Sequence, residues 1–448
     1  FRGTYAATAV ERLTVLDDSA AVVTRRIDGI QYHGATTITI DLGSGAERMI
    51  VTGTSATTTT LTLRTHDGDD VVLVEAIDAA ATATVETGLG TDTIVVRGRD
   101  STLDHVSGEL LLAGGDPGYS LGTTSRDELV LVDVGDTTDN SGTLTASSLS
   151  GLGLGRPVTY HGFEAITLRL GSGADTLVVR HTHQGSTVVN AGAGLDRVDI
   201  EATNGVTRIS GDGGADTINV NLRPTDPTAG DEIGDTANDN TSGDDTLYLD
   251  GAAGSDTYSV RLAGTGSSRI KVFDSGSPTS GSDTLTVTGT DNSDRFLLRA
   301  SRAGAQVAFV ALLNSSSLIE RIDYDETIEG GLTVDGLEGN DRFLVDDNAV
   351  RTTLNGGGGT DEFQFAQLYA SRRDSAAGVS AEDVFATIQT TRGYLSNGNS
   401  VDVTANGGSG ADSVYGGRGS DRIDAGGGDD SLVGGSGVDT LIGGAGND

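Results

Sequence analysis

Five aspartates near the C-terminal end of the sequence stand nine residues apart, and they are the side chains whose type and spacing could do chemistry. They are Asp412, Asp421, Asp430, Asp439 and Asp448. Carboxylate and carbonyl oxygens are the ligands that a hard cation such as Ca²⁺ prefers. A single aspartate can also form an ordinary turn by bonding its own backbone. Because turns of that kind need no fixed register, the regular spacing favours a row of cation sites.

Glycines surround each of these aspartates, as in the unit from Gly407 to Asp412, and an aliphatic residue follows two positions after the aspartate. The aliphatic residues are Val414, Ile423, Leu432 and Leu441. Glycine adopts turn angles that a side chain would forbid, and it lets carbonyl oxygens point at an ion. Two nine-residue units make one coil, so turns on the same side lie 18 residues apart and stack. An ion can then be bound between neighbouring turns.

The unit Gly-Gly-x-Gly-x-Asp-x-aliphatic-x resembles the calcium-binding nonapeptide of the RTX (haemolysin-type) repeat proteins. The resemblance implies a parallel β-roll that binds multiple Ca²⁺ ions. It also implies that Asp412, Asp430 and Asp448 face one row of sites. Asp421 and Asp439 would face the other row. The turn glycines expected to lend carbonyl oxygens are Gly408, Gly410, Gly417, Gly419, Gly426, Gly428, Gly435 and Gly437.

Related units recur upstream at wider spacing. Clear copies end at Glu47, Asp92, Asp175 and Asp196, and looser copies end at Asp70, Asp216, Asp245, Asp256, Asp283, Asp294, Asp341 and Asp361. Steps of 20 to 23 residues separate several of them, about one coil of a parallel β-helix. Asp92, Asp175, Asp196, Asp216 and Asp361 are candidate calcium ligands, although Asp-Gly is also a common turn pair. We expect an all-β chain, a right-handed parallel β-helix (β-solenoid) with a C-terminal RTX β-roll.

A longer repeat organises the N-terminal half of the sequence. The segment that begins Tyr32-His-Gly and contains Leu42-Gly-Ser-Gly-Ala returns 128 residues later at Tyr160 and Leu170. We therefore expect one solenoid block over residues 1–140 and a second, homologous block over 141–250. Further coils would follow over 251–406, with irregular insertions at about 364–400, and the calcium-binding β-roll would cover 407–448.

The amino-acid composition restricts the classes of molecule that the chain is expected to bind. The formal net charge is −36, which opposes binding to nucleic acid or to anionic membranes. No run of about 18 apolar residues predicts a membrane span. Hydrophobic residues make up only 35% of the chain and cysteine is absent, so a structural metal is the expected staple for a thin core. The sequence starts without Met and stops within a repeat, and we expect it to be a segment of a longer protein.

Six histidines are the other candidate metal ligands. His181 and His183 stand two residues apart, which in a strand would place both on one side and allow metal binding. No third ligand is apparent, and a packed or solvated pair is the alternative that we favour. His33 and His161 hold equivalent places in the long repeat, which favours a structural role for both.

The sequence contains no nucleophile motif and no phosphate-binding loop, and we expect no enzymatic activity within this chain. The favoured hypothesis is an extracellular, calcium-binding structural or adhesive solenoid, such as a stalk, filament or surface-layer component. The resemblance implies a large exoprotein or adhesin that a bacterium exports by type I secretion. Its partners would be calcium and either a second copy or a cell-surface glycan. The alternatives are a calcium-dependent secretion or folding module attached to an enzyme or toxin elsewhere, and a glycan-active β-helix.

Overall fold

The structure is a computed structural model that describes residues 11–14, 35–115, 126–221, 246–264, 268–276, 281–301, 308–314, 319–374 and 384–448. Tyr32, His33 and Asp245, named above, lie outside these ranges. The chain divides into two compact units, Phe1–Gly194 and Leu195–Asp448. This division coincides with none of the boundaries expected from the repeats, and those boundaries stay predictions.

Short strands make up the first unit. In chain order they are β1 (Glu11–Thr14), β2 (Thr37–Asp41), β3 (Arg48–Val51), β4 (Thr60–Arg64), β5 (Val71–Val74), β6 (Thr82–Glu86), β7 (Thr93–Val96), β8 (Glu109–Ala113), β9 (Glu128–Val132), β10 (Ser141–Leu144), β11 (Ser148–Gly151), β12 (Val158–His161), β13 (Ala165–Arg169), β14 (Thr176–Val179), β15 (Ser186–Asn190) and β16 (Ala193–Gly194).

Two mainly parallel sheets make up this unit, and in its regular coils the chain passes from one sheet to the other after each strand. Strands β2, β4, β6, β8 and β12 stack in the first sheet, and β3, β5, β7, β9, β13 and β15 stack in the second. Pairing is in register, so that Leu61 lies beside Ala83, and Ala83 beside Leu110. An antiparallel meander of β10, β11 and β12 interrupts the first sheet. Each regular coil thus contributes one strand to each sheet.

The second unit has the same construction. Its strands are β17 (Arg197–Ile200), β18 (Val206–Ser210), β19 (Gly213–Gly214), β20 (Thr217–Asn221), β21 (Thr246–Asp250), β22 (Thr257–Arg261), β23 (Ser268–Val272), β24 (Thr284–Thr288), β25 (Arg295–Ala300), β26 (Ala308–Leu312), β27 (Glu320–Tyr324), β28 (Gly331–Asp335), β29 (Arg342–Val345), β30 (Thr352–Gly358), β31 (Glu362–Phe365), β32 (Leu368–Tyr369), β33 (Thr387–Thr390), β34 (Gly393–Ser396), β35 (Val403–Ser409), β36 (Ser413–Tyr415), β37 (Arg422–Gly427), β38 (Ser431–Val433) and β39 (Thr440–Ile442).

The first sheet of this unit runs β17-β20-β22-β24-β28-β30-β35-β37-β39, and every pairing given for it is parallel. The second sheet contains β18, β21, β23, β27, β26, β25, β29, β31, β36 and β38, and only β25-β26-β27 is antiparallel. Between β31 and β35, strands β32, β33 and β34 form a separate small antiparallel sheet. The predicted parallel solenoid with a C-terminal roll is confirmed.

Inward-facing aliphatic side chains form a thin core in both units. In β4, Leu61 and Leu63 are buried while the alternate threonines are partly exposed, the period of two that a strand imposes. The core of the second unit also holds aromatic rings. Phe343 stacks between Phe296 and Phe363, with centroid separations of 5.0 and 4.7 Å. The described residues contain no α-helix, and hence none long and apolar enough to cross a membrane.

Candidate metal centre

The aspartates of the C-terminal units each occupy the last position of a turn, directly before a strand. Asp412 and Asp430 precede β36 and β38 of the second sheet, whereas Asp421 and Asp439 precede β37 and β39 of the first. Strand Ser413–Tyr415 pairs with Ser431–Val433, which confirms a coil of 18 residues. The structure therefore places the aspartates in two sets, one at each passage between the sheets.

Hydrogen bonds join the members of each set from one coil to the next. The backbone N–H of Asp412 donates to Oδ1 of Asp430 at 2.8 Å, and the N–H of Asp430 donates to Oδ1 of Asp448 at 3.2 Å. In the other set, the N–H of Asp421 donates to Oδ1 of Asp439 at 3.1 Å. The structure therefore brings together the aspartates of each of the two rows that the sequence predicts. We call such a series of linked carboxylates an aspartate ladder.

The first of these ladders continues upstream into coils that lack the full nonapeptide. The N–H of Asp361 donates to Oδ1 of Asp412, and the N–H of Asp341 donates to Oδ1 of Asp361, both at 2.8 Å. Asp294 donates in the same way to Asp341 at 2.7 Å. Sequence reasoning named Asp361 as a candidate ligand but not Asp294 or Asp341, because coils of unequal length hide their common place in the stack.

A second ladder in this unit lies on the turns that lead into the first sheet. It links Asp196 to Asp216, Asp216 to Asp256 and Asp256 to Asp283, with N–H to Oδ1 distances of 2.7 to 2.8 Å. Asp196 and Asp216, named from the sequence, are therefore built into the same arrangement as the C-terminal aspartates.

The first unit carries ladders of its own. The N–H of Glu47 donates to Oδ1 of Asp70, that of Asp70 to Asp92, and that of Asp92 to Asp127, at 2.8 to 2.9 Å. The N–H of Asp127 donates in turn to Oε2 of Glu164 at 2.6 Å. In a separate link, Asp175 accepts from the N–H of Asn140 at 2.9 Å.

Asp127 and Glu164 were missed from the sequence, because no Gly-x-Gly precedes either residue. The signal that could have found them is their place directly before the apolar strands β9 and β13. Position before a strand is thus a better guide to a ladder carboxylate than the glycines of the turn.

Eight ladder aspartates use one carboxylate oxygen in the ladder hydrogen bond and leave the other buried. Oδ2 is buried without a hydrogen-bond partner in Asp70, Asp92, Asp216, Asp256, Asp341, Asp361, Asp412 and Asp430. No ion pair to Arg or Lys is made by these eight carboxylates within the part of the chain that the structure describes. A buried carboxylate oxygen without partner is costly, because its desolvation is not compensated. The ladders therefore present oxygens that a cation would satisfy.

The first glycine of several units makes room for this second oxygen. A Cβ atom added to Gly407 would lie 2.4 Å from Oδ2 of Asp412, and one added to Gly356 would lie 2.2 Å from Oδ2 of Asp361. The same relation holds at Gly443, 2.5 Å from Oδ2 of Asp448. In these three units a side chain in place of that glycine would clash with the carboxylate five residues later.

The second and third glycines of the units face the preceding turn of the stack. Their backbones are left-handed at Gly408, Gly410, Gly426, Gly428, Gly435 and Gly437, with φ between +95° and +148°. A Cβ added to Gly428 would lie 1.6 Å from the carbonyl oxygen of Gly410, and one added to Gly426 would lie 2.3 Å from that of Gly408. Glycine carbonyl oxygens therefore point along the stack at the next turn.

Gly417 and Gly419 depart from this pattern. Neither has the left-handed backbone of its equivalents, and Asn399 packs against both. Asn399 donates through Nδ2 to Oδ1 of Asp421 at 2.7 Å and accepts from the N–H of Arg418 at 3.1 Å. The carbonyl oxygens of Gly417 and Gly419 nevertheless face Gly435 and Gly437 in the next turn. The side chain of Asn399 thus donates to Asp421 the hydrogen bond that the backbone N–H of a ladder aspartate donates elsewhere.

Burial shifts the protonation of the ladder carboxyls. It raises the pKa of Asp92 and Asp361 to about 6 and that of Asp216 and Asp341 to about 7. Burial likewise raises the pKa of Asp175, Asp412 and Asp421. Neighbouring ladder aspartates add to the rise, since like charges disfavour ionisation. A bound positive charge would therefore favour the ionised form of these rows near neutral pH.

The donor set fits Ca²⁺. It consists of carboxylate and carbonyl oxygens only, and Ca²⁺ takes 6–8 such ligands in flexible geometry. A bound ion would supply the positive charge that the buried carboxylates lack. The residues that would hold it are the ladder aspartates together with the turn glycines whose carbonyls face the neighbouring coil.

The paired histidines do not take part in this arrangement. His181 and His183 follow β14 in a loop, so the expectation that they share one side of a strand is wrong. His183 lies with Nδ1 3.0 Å from Oγ1 of Thr187, and burial lowers its pKa to about 4. No group of three metal-ligating side chains among the described residues includes either histidine. His161 ends β12 and is exposed.

Stacked coils, left-handed glycine turns and rows of aspartates define a calcium-binding parallel β-roll at the C-terminal end of the described chain. Residues 404–432 and 415–448 match the family model of the RTX calcium-binding nonapeptide repeat in four copies. The C-terminal segment of the chain therefore carries RTX nonapeptide repeats, and such repeats bind Ca²⁺ at multiple sites. No curated protein matches the chain.

Proposed function

We propose that this chain is an extracellular structural or adhesive solenoid whose turns are cross-linked by Ca²⁺. The observation that carries the proposal is the unbroken ladder Asp294, Asp341, Asp361, Asp412, Asp430 and Asp448. It runs through the nonapeptide block and through coils upstream of it. Calcium bound along this ladder would stiffen a long stretch of the second unit rather than its last coils alone.

The net charge of the chain supports an extracellular location for this role. At a net charge of −36 the calcium-free chain repels itself, which opposes the compact state. Ion binding and folding are coupled when the ligands are assembled only in the folded state. The chain would stay unfolded where free calcium is low and would fold in the millimolar calcium outside a cell. RTX repeats typify proteins of type I secretion, which fits this sequence of events.

The ladder carboxylates are poorly suited to catalysis, which supports a non-enzymatic role. Asp361 and Asp412 are each 1% exposed, and each accepts a hydrogen bond from the coil before it. A general acid or base must come within hydrogen-bond reach of a substrate. The partner expected under this proposal is a second copy of the chain or a cell-surface glycan.

Electron microscopy of the full chain, beside sedimentation velocity, tests the role. Samples would contain about 5 mM Ca²⁺, the same concentration of Mg²⁺, or chelator, on the scale of extracellular sites. The proposal expects elongated particles or ordered assemblies in Ca²⁺ alone. Identical particles in chelator would contradict it. Short, monodisperse, calcium-folded particles at every protein concentration would favour a secretion or folding module instead.

A further inference from the structure

The ladder of the second unit contains one coil with an aspartate where a glycine is expected. Leu249 of β21 lies opposite Val272 of β23, and by that register Asp274 stands level with Gly251. In the preceding coil, Gly251 is the glycine that makes room for Oδ2 of Asp256, 2.4 Å from where its Cβ would be. Asp274 thus brings a further carboxylate to the place where the preceding coil has no side chain.

Asp274 joins two ladder members to form a buried cluster of three carboxylates. Asp256, Asp274 and Asp283 are 1%, 5% and 6% exposed. Each offers an oxygen, and these oxygens all lie within 4.8 Å of one another. Oxygens that share one Ca²⁺ at 2.3–2.6 Å can be at most about 5 Å apart, so the spacing fits a common ion.

The hydrogen bonds of the cluster hold the carboxylates in place but do not neutralise them. The Tyr258 hydroxyl donates to Oδ2 of Asp274 at 2.6 Å, and the N–H of Gly276 donates to Oδ1 at 2.8 Å. Oδ1 of Asp283 accepts from the N–H of Asp256 at 2.8 Å. Oδ2 of Asp256 is buried and has no partner. One oxygen of a nearly inaccessible side chain therefore remains to be satisfied within the cluster.

The surroundings add negative charge. Asp250 and Glu329 both act on the cluster as like charges, and no ion pair is made by its three members within the described ranges. Buried like charges at this separation cannot all ionise without a cation. The set contains neither His nor Cys, which disfavours Zn²⁺ and favours a hard cation.

We propose that Asp256, Asp274 and Asp283 form a Ca²⁺ site of their own, outside the C-terminal nonapeptide block, with Tyr258 positioning Asp274. Backbone carbonyls or water would complete the coordination sphere. The site differs from the ladder sites in drawing three carboxylates to one ion. It does not depend on the structural role proposed above, because it follows from the cluster alone.

Terbium luminescence tests the site in the full chain. The sequence has no Trp, so tyrosine is the sensitiser of bound Tb³⁺, and Tyr258 touches a proposed ligand. Wild-type protein is expected to show tyrosine-excited Tb³⁺ emission that Ca²⁺ displaces. Asp274→Asn should lose a large part of this emission and bind one Ca²⁺ fewer per chain by equilibrium dialysis. Tyr258→Phe should lose the same part of the emission while retaining the Ca²⁺ count.

Asp250→Asn is the matched control, since it removes an equal charge from a neighbour whose Oδ1 accepts from the N–H of Ser275. It should retain both the emission and the Ca²⁺ count. Far-UV circular dichroism in saturating Ca²⁺ checks that Asp274→Asn is as folded as the wild type. An unchanged Ca²⁺ count in Asp274→Asn, or an equal loss in Asp250→Asn, would overturn the proposal.

Discussion

The backbone amide of Asp361 donates a 2.8 Å hydrogen bond to Oδ1 of Asp412, a residue 51 positions further along the chain. Asp412 belongs to the nonapeptide block, whereas Asp361 closes an upstream coil outside the family match. The bond shows that the two kinds of coil share one ladder. It also means that a calcium effect on the C-terminal block should be transmitted to coils that no repeat motif identifies.

The Asp430→Asn variant distinguishes the contribution of ion binding from that of the ladder hydrogen bond. The Asn side chain keeps an oxygen to accept from the N–H of Asp412, but it loses the charge and the buried oxygen that has no partner. In Ca²⁺ at 100 times Kd we expect a loss of about 3 kcal/mol of unfolding free energy, the value of one site, and in Ca²⁺ near Kd a much smaller loss. Urea unfolding in both conditions measures it.

Asp429→Asn is the control for that experiment, because Asp429 is adjacent, exposed and equally charged. Its carboxylate accepts from the N–H of Asn447, a bond that Asn can also accept. Equal calcium-dependent losses in the two variants would show that net charge, not ligation, is responsible.

Gly428→Ala tests the turn geometry. At φ +148°, the new Cβ would lie 1.6 Å from the carbonyl oxygen of Gly410, so the turns must separate. Gly427→Ala changes the neighbouring glycine, whose Cβ would meet nothing closer than 4.0 Å. We expect Gly428→Ala to weaken Ca²⁺ binding at least tenfold by calorimetry, about 1.4 kcal/mol, and Gly427→Ala to bind as the wild type does. Equal affinity in both variants would contradict the assignment of the turn carbonyls.

The pH dependence of the calcium-free protein should be inverted relative to that of most proteins. Carboxyls whose pKa is raised on folding bind protons more tightly in the folded state, so stability falls as pH rises. The loss begins near the unfolded pKa of about 3.9. It is complete only above the folded pKa of about 6 for Asp361 and about 7 for Asp341.

Thermal unfolding in calcium-depleted buffer is therefore expected to show a higher midpoint at pH 5 than at pH 7.5. With saturating Ca²⁺ the order should reverse, because protons compete with the ion for the carboxylates. A calcium-free midpoint that rises between these two pH values would mean that the ladder carboxyls are not protonated in the folded state.

Phe343→Ala should weaken the core independently of calcium. The ring stacks between Phe296 and Phe363 with interplanar angles of 14° and 5°, and it is fully buried. Removal of such a side chain typically costs about 3–5 kcal/mol. Urea unfolding should show this loss both at saturating Ca²⁺ and at Ca²⁺ near Kd, and Phe343→Leu should lose less. A loss confined to one condition would indicate that the ring acts through the turns.

The regular part of this fold follows from local chemistry, which is why the sequence predicts it. A nine-residue unit with one aliphatic residue and a glycine turn can stack in only one register, and the rows of Asp412 and Asp421 follow from that register. The antiparallel strands β25 and β26 carry no such period. Their place depends on packing between distant coils, so the sequence does not reveal it.

The long repeat shows a second feature of the fold that the sequence alone does not predict. Leu42 and Leu170 follow equivalent segments, yet β2 lies in the first sheet of its unit and β13 in the second. Between β2 and β13 the chain changes sheet an odd number of times, because β10, β11 and β12 all lie in the first sheet. Sequence similarity between half-coils therefore fixes the strand and its turn but not the sheet. Asp274 was missed for a related reason, since only the register places it beside Asp256.

The central claim is that Ca²⁺ bound in the turns holds the coils together. Thermal unfolding of the full chain, followed by far-UV circular dichroism across a Ca²⁺ titration, tests it most directly. The account predicts little cooperative β-structure in chelator, and a cooperative transition whose midpoint rises with the logarithm of the Ca²⁺ concentration, with no comparable effect of Mg²⁺. A transition that is equally cooperative and equally placed in chelator would contradict it.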